Sequence, residues 1–107
     1  MNQRTISDFI FSLPNTKLEY PFETKVAVYK VEDEMFAILE ESRKPLRISL
    51  KCDPHLSKLL REKYVEVMPG HNLSKKDWNT IILSGELPWE EIQGLIRHSY
   101  ELSVKDD

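Results

Sequence analysis

The sequence predicts an α+β fold: a two-layer α/β sandwich in which an antiparallel sheet carries helices on one face, in the order α-β-β-β-α-β-β-α. Three observations carry that prediction. Apolar residues recur at helical spacing near both ends and once in the middle. Short runs rich in β-branched and aromatic residues lie between them, and Pro, Gly, Asp and Ser mark the joints. A length of 107 residues suits one domain with one core, expected over residues 1–107.

Thr5 is placed to cap the first helix, with Asp8 three positions on, and Ile6, Phe9, Ile10 and Leu13 follow along one face until Pro14 stops it. A loop through Tyr20-Pro21-Phe22 comes next. Residues 25–31 and 35–39 read as an antiparallel hairpin joined at Glu32-Asp33-Glu34. Leu46, Ile48 and Leu50 then alternate with Arg47, Ser49 and Lys51, the period of a half-buried strand, which puts Arg47 and Lys51 on its outer face.

Asp53-Pro54 supplies an N-cap and a proline at the first helical position, followed by the stripe Leu56, Leu59, Leu60 and Tyr64. Residues 65–68 suggest a brief strand before the Pro69-Gly70 turn, and residues 78–83 a stronger one ended by Ser84-Gly85. The last helix starts near Pro88, where Glu90 and Glu91 favour the positive helix N-terminus, and Ile92, Leu95, Ile96 and Ser99 trace its inner face. Internal repeats and low-complexity stretches are missing.

Hydrophobic residues are 40% of the chain and charged residues 31%, a balance that excludes a disordered tail. No apolar run approaches the roughly 18 residues of a membrane span, and the first residues do not resemble a secretory leader. The single Cys52 cannot form an internal disulfide, so a reducing cytoplasm is the expected location, with no membrane partner.

The net charge of −3 is unevenly spread. Residues 43–78 hold nine cations against four acids, a local charge of +5, which leaves −8 on the rest. Such asymmetry points to a basic patch if folding gathers these side chains, and to an ordinary solvated surface if it does not. Lys75 and Lys76 suit adjacent phosphates, with Asn72 as a hydrogen-bonding neighbour, or are solvated loop residues. Arg47 and Lys51, with Arg43 and Lys44 near one end of their strand, extend a phosphate track or pair with Glu40, Glu41 or other surface acids. Trp78 either stacks on an exposed base or anchors a strand in the core. The Glu32-Asp33-Glu34 tip would repel phosphate, so a DNA contact belongs elsewhere.

Catalysis has little support. His55, His71 and His98 lack a ligand spacing, and Cys52 sits at a structural junction without a nameable base. The adjacent carboxylates Glu40-Glu41 and Glu90-Glu91 do not converge by themselves. No phosphate-binding loop, Gly-rich dinucleotide turn or CxxC is present, so neither an enzyme nor a bound cofactor or metal is expected.

Tyr20-Pro21-Phe22, Met35-Phe36-Ala37, Lys51-Cys52-Asp53-Pro54, Leu60-Arg61-Glu62, Pro69-Gly70, Lys75-Lys76 with Trp78-Asn79-Thr80, and Ser99-Tyr100 occur in an order that resembles the MmcQ/YjbR family. The resemblance implies a CyaY-like, or secretion-chaperone-like, fold proposed to carry a double-wing DNA-binding surface, in which hairpins flank a helix and basic residues meet phosphates. Related-looking CyaY folds bind iron through an acidic first helix, but here that helix has only Asp8 among its acids. The expected function is therefore non-enzymatic DNA binding, mainly through phosphates, at Arg43, Lys44, Arg47, Lys51, Asn72, Lys75, Lys76 and Trp78. The alternative is a chaperone-like module that offers a sheet face to a protein partner or to a second copy of itself.

Overall fold

The computed structural model describes residues 2–70 and 73–104. Helix α1 (Gln3–Phe11) is followed by strands β1 (Lys17–Glu19), β2 (Val26–Val31), β3 (Glu34–Glu40) and β4 (Arg47–Lys51). Helix α2 (Pro54–Lys63), strands β5 (Val67–Pro69) and β6 (Trp78–Ile82), and helix α3 (Trp89–Ser103) complete the chain. The predicted class and order are present, with one addition. Residues 17–19, read from sequence as loop, form an edge strand, with Lys17 opposite Lys30 and Glu19 opposite Val28. Three residues carry too little periodicity to announce a strand; the pairing depends on the exposed edge of β2.

All neighbouring strands are antiparallel, in the order β1-β2-β3-β4-β6-β5. Glu32 and Asp33 form the two-residue β2–β3 turn, both with positive φ, the conformation that matches the right-handed twist of a hairpin. A register shift at Tyr29 and Lys30 bends β2 beside that turn.

Side-chain alternation sorts the sheet into two faces. Ala27, Leu39, Ile48 and Ile81 lie opposite one another in one row, and Tyr29, Ala37, Leu50 and Asn79 in the next. The apolar members of these rows pack with Ile6 and Ile10 of α1, Leu60 of α2, and Ile92, Leu95 and Ile96 of α3 in the main core. The other face carries the row Val28, Ile38, Ser49, Thr80 and Met68, flanked by Arg47 on one side and by Lys51 opposite Trp78 on the other. Here Val28, Ile38 and Trp78 form a second, smaller cluster covered in part by Val26, Met35 and Leu73.

Two local expectations are corrected. The cap of α1 is Asn2, whose carboxamide oxygen accepts from both the amide and the hydroxyl of Thr5, because the helix begins one turn earlier than the apolar stripe. On α2, Leu59 is exposed and Ser57 points inward instead, since Ser57 meets the Asn79 amide at 3.1 Å. The Asp53 cap and the proline that follows it are as expected, with the Leu56 amide donating to the Asp53 carboxylate at 3.0 Å.

Candidate nucleic-acid interface

Folding gathers part of the linear cation cluster. Arg43 from the β3–β4 turn, Arg47 from β4 and Lys75 from the β5–β6 loop line one depression of about 650 Å³ on the face of the sheet that lacks helices. Glu40, Met68, Leu73 and Thr80 line it with them. Thr80 is buried and shares a hydrogen bond of 2.8 Å with Ser49, so its hydroxyl is already occupied at the bottom. Arg43 and Lys75 are exposed at the rim, and Arg47 is half-buried.

The charges are not equally available. Glu40 takes Arg43 at 3.3 Å through a Glu–Arg spacing of three along the chain. Among the described residues, Arg47 and Lys75 form no ion pair. Arg47 and Lys75 therefore line the depression outside any ion pair, while Glu40, opposite Arg47 in the strand register, brings one acid to it and shares Arg43.

Lys51 stands apart. Its ammonium lies 3.2 Å from Glu34 and 5.8 Å from the centre of the Trp78 ring, and with Trp78 it lines a second hollow that also includes Cys52, Asp53 and Leu102. Trp78 is only 6% exposed. Of the two readings left open by sequence, its surroundings match strand anchoring, because the ring is buried with Val28 and Ile38 and the Lys51 ammonium lies over it. Lys44 and Lys76 are exposed in turns and line neither hollow. Asn72 lies outside the described residues.

The loop that presents Lys75 is held by a residue to which sequence alone assigned no task. From α2, the Arg61 guanidinium donates to the carbonyls of Lys75 at 2.7 Å and Trp78 at 3.2 Å and to the Asn79 side chain at 2.8 Å. Asn79 in turn donates to Ser57, which ties α2 to β6 from beneath the sheet. Gly70 closes the other end of the loop: its amide donates to the Trp78 carbonyl at 3.0 Å, and a Cβ there would lie 2.8 Å from the Trp78 Cβ. The signal for Arg61 was a cation on the inner flank of an amphipathic helix, but its acceptors are backbone carbonyls, which leave no mark in sequence.

Cys52 is buried beside this region, its amide donating to the Asp77 carbonyl at 2.8 Å. Burial pushes its thiol above the ordinary value of 9.0 and the Asp53 charge adds to this, against the opposing effects of Ser57 and Arg61. The reactive form, a thiolate, is therefore disfavoured at neutral pH. No three His, Cys, Asp or Glu side chains among the described residues come together as a metal cage. No helix among them is long and apolar enough to cross a membrane.

The model of the YjbR family matches residues 11–102. The Escherichia coli K12 protein named "Uncharacterized protein YjbR" is 34% identical over 103 residues, covering 94% of this chain and 87% of its own length. The Escherichia coli O157:H7 protein named "Uncharacterized protein YbdF" is 30% identical over 100 residues, covering 94% and 82%. Among solved structures, the Deinococcus radiodurans protein DR2400, described by its DUF419 domain, superposes with a TM-score of 0.93 at 33% identity over 98% of this chain and 80% of its own. A Pseudomonas syringae protein superposes with a TM-score of 0.83 at 28% identity over 97% of this chain and 100% of its own. With its motifs in order, its sheet and helices superposed and nearly its full length aligned, the chain belongs to the YjbR family.

Proposed function

We propose that this protein is a DNA-binding protein of the bacterial cytoplasm, a binder and not a catalyst, that holds the phosphate backbone in the depression between the β3–β4 turn and the β5–β6 loop. The observation that carries this reading is the convergence of Arg43, Arg47 and Lys75, 32 residues apart from first to last, on one concavity. Arg47 offers a planar fork to phosphate oxygens and Lys75 a mobile point charge. Lys44 and Lys76, exposed in turns of the chain close to Arg43 and Lys75, add long-range attraction without a fixed contact. The chain as a whole is acidic at −3, so association is steered by this local field and not by net charge.

Fluorescence anisotropy with a labelled oligonucleotide tests the reading. Neutralising three phosphates corresponds to a log–log salt slope between about −2 and −3, so affinity should fall about 20- to 40-fold between about 50 and 200 mM salt. Arg47→Ala combined with Lys75→Ala should lower affinity and reduce that slope by about two-thirds. Binding that is insensitive to salt, or to both substitutions, would remove the depression from the account.

A further inference from the structure

We infer, resting on the phosphate-contact reading above, that the strand taken by this depression is unpaired, with cations on its phosphates and the apolar floor against a base. A duplex would leave part of this surface unused. Phosphates of a double helix lie on the outside of a convex rod, and their bases are stacked inside it. Pairing that surface with this one would leave Met68 and Leu73, both half-buried in the floor, without an apolar partner.

An unpaired strand uses every part of the site. A base turned inward lays an apolar face on Met68, Leu73 and Pro69, and an arginine plane such as that of Arg43 stacks on an exposed ring. The depression, open to solvent and of about 650 Å³, has room for a base and its sugar. Glu40, which a pure phosphate track would not contain, becomes an acceptor for an exocyclic amine of cytosine or adenine.

The intact chain is titrated by anisotropy against a labelled single strand of about 15 nucleotides and against its duplex, at about 50 mM salt. The single strand should bind at least about tenfold more tightly. Oligo(dC) should be preferred to oligo(dT), and Glu40→Ala, which removes the acceptor, should erase that preference. Leu73→Ala should weaken the single strand while leaving the salt slope unchanged, whereas Arg47→Ala should reduce the slope. A duplex bound as tightly as the single strand, or more so, overturns this inference and leaves the phosphate reading standing. Failure of both to bind overturns the two together.

Discussion

The Ser99 hydroxyl accepts a hydrogen bond from the Lys51 amide at 2.8 Å and donates one to the Phe36 carbonyl at 2.5 Å, bridging β3 and β4 one step beyond their last paired residues, Ala37 and Leu50. A side chain from α3 replaces the missing rung of the ladder, and Ser99 is fully buried where it does so. Ser99→Ala would leave a part-buried donor and a buried acceptor without this partner, at a cost of about 1–3 kcal/mol. A urea titration followed by circular dichroism should show the loss as a lower midpoint with unchanged slope. Affinity for an oligonucleotide, measured well below the transition, should not change, since Ser99 lies on the helix side of the sheet.

Arg61 should matter through the loop it holds. Arg61→Lys keeps the charge but cannot reproduce a fork reaching Asn79, the Lys75 carbonyl and the Trp78 carbonyl at once. The expected cost is about 1.5–3 kcal/mol, the range for charge-assisted hydrogen bonds. Hydrogen exchange should accelerate at the Asp77 and Trp78 amides, both bonded to the Ser74 carbonyl. Unaltered exchange there would mean that the loop is held by other contacts.

Two glycines should respond in opposite directions to alanine. Gly70→Ala forces a Cβ to 2.8 Å from the Trp78 Cβ and should cost about 1–3 kcal/mol. Gly94 lies in α3 with nothing within 4 Å of an added Cβ, so Gly94→Ala should stabilise by about 0.5–1 kcal/mol through helix propensity. Thermal melts of the two variants beside the parent chain decide both claims.

Glu40→Gln should tighten binding. It removes the partner that holds Arg43 at 3.3 Å and an acid from the depression. An exposed pair is worth about 0–1 kcal/mol, so the gain for oligo(dT), which has no amine for Glu40, is at most about fivefold. Weaker oligo(dT) binding in this variant would argue that Glu40 serves to orient Arg43.

Stability should decline in alkali. Cys52 and Tyr29 both titrate above their ordinary values of 9.0 and 10.0, chiefly because burial disfavours their charged forms, with Asp53 adding to the shift of Cys52 and Glu41 to that of Tyr29. A folded-state value raised above the unfolded one means that the folded chain holds its proton longer. The contribution is therefore fully present below the unfolded pKa, about pH 9, and is lost as pH rises through the folded value. Urea midpoints should be level from about pH 7 to 8.5 and fall above about pH 9, and the fall should be smaller in Cys52→Ser.

How far the site could be read ahead of the fold differs residue by residue. Arg47 and Lys51 share the outer face of β4 as their spacing requires, because alternation along a strand is a local property. Their fates nevertheless differ: Lys51 meets Glu34, 17 residues away, whereas Arg47 faces the depression. Lys75 and Lys76 are neighbours in the chain, yet only Lys75 lines the hollow. Glu40 meets Arg43 as the ion-pairing alternative expected, whereas Arg61 and Met68 entered the site unannounced, since what recruits them is the approach of β4, β6 and the loop from β5.

The sequence by itself determined the elements, their order and the family: caps, proline stops, apolar period and turn residues act over a few positions and remain legible without partners. Pairing over long separations decided the rest. It ordered β6 between β4 and β5, turned residues 17–19 into an edge strand, buried Trp78, and chose Arg43, Arg47 and Lys75 from nine cations of the central region. The physical reason is that a charge or an aromatic acquires its role from what lies within a few ångströms, and at those distances the neighbours come from strands and loops remote in the chain.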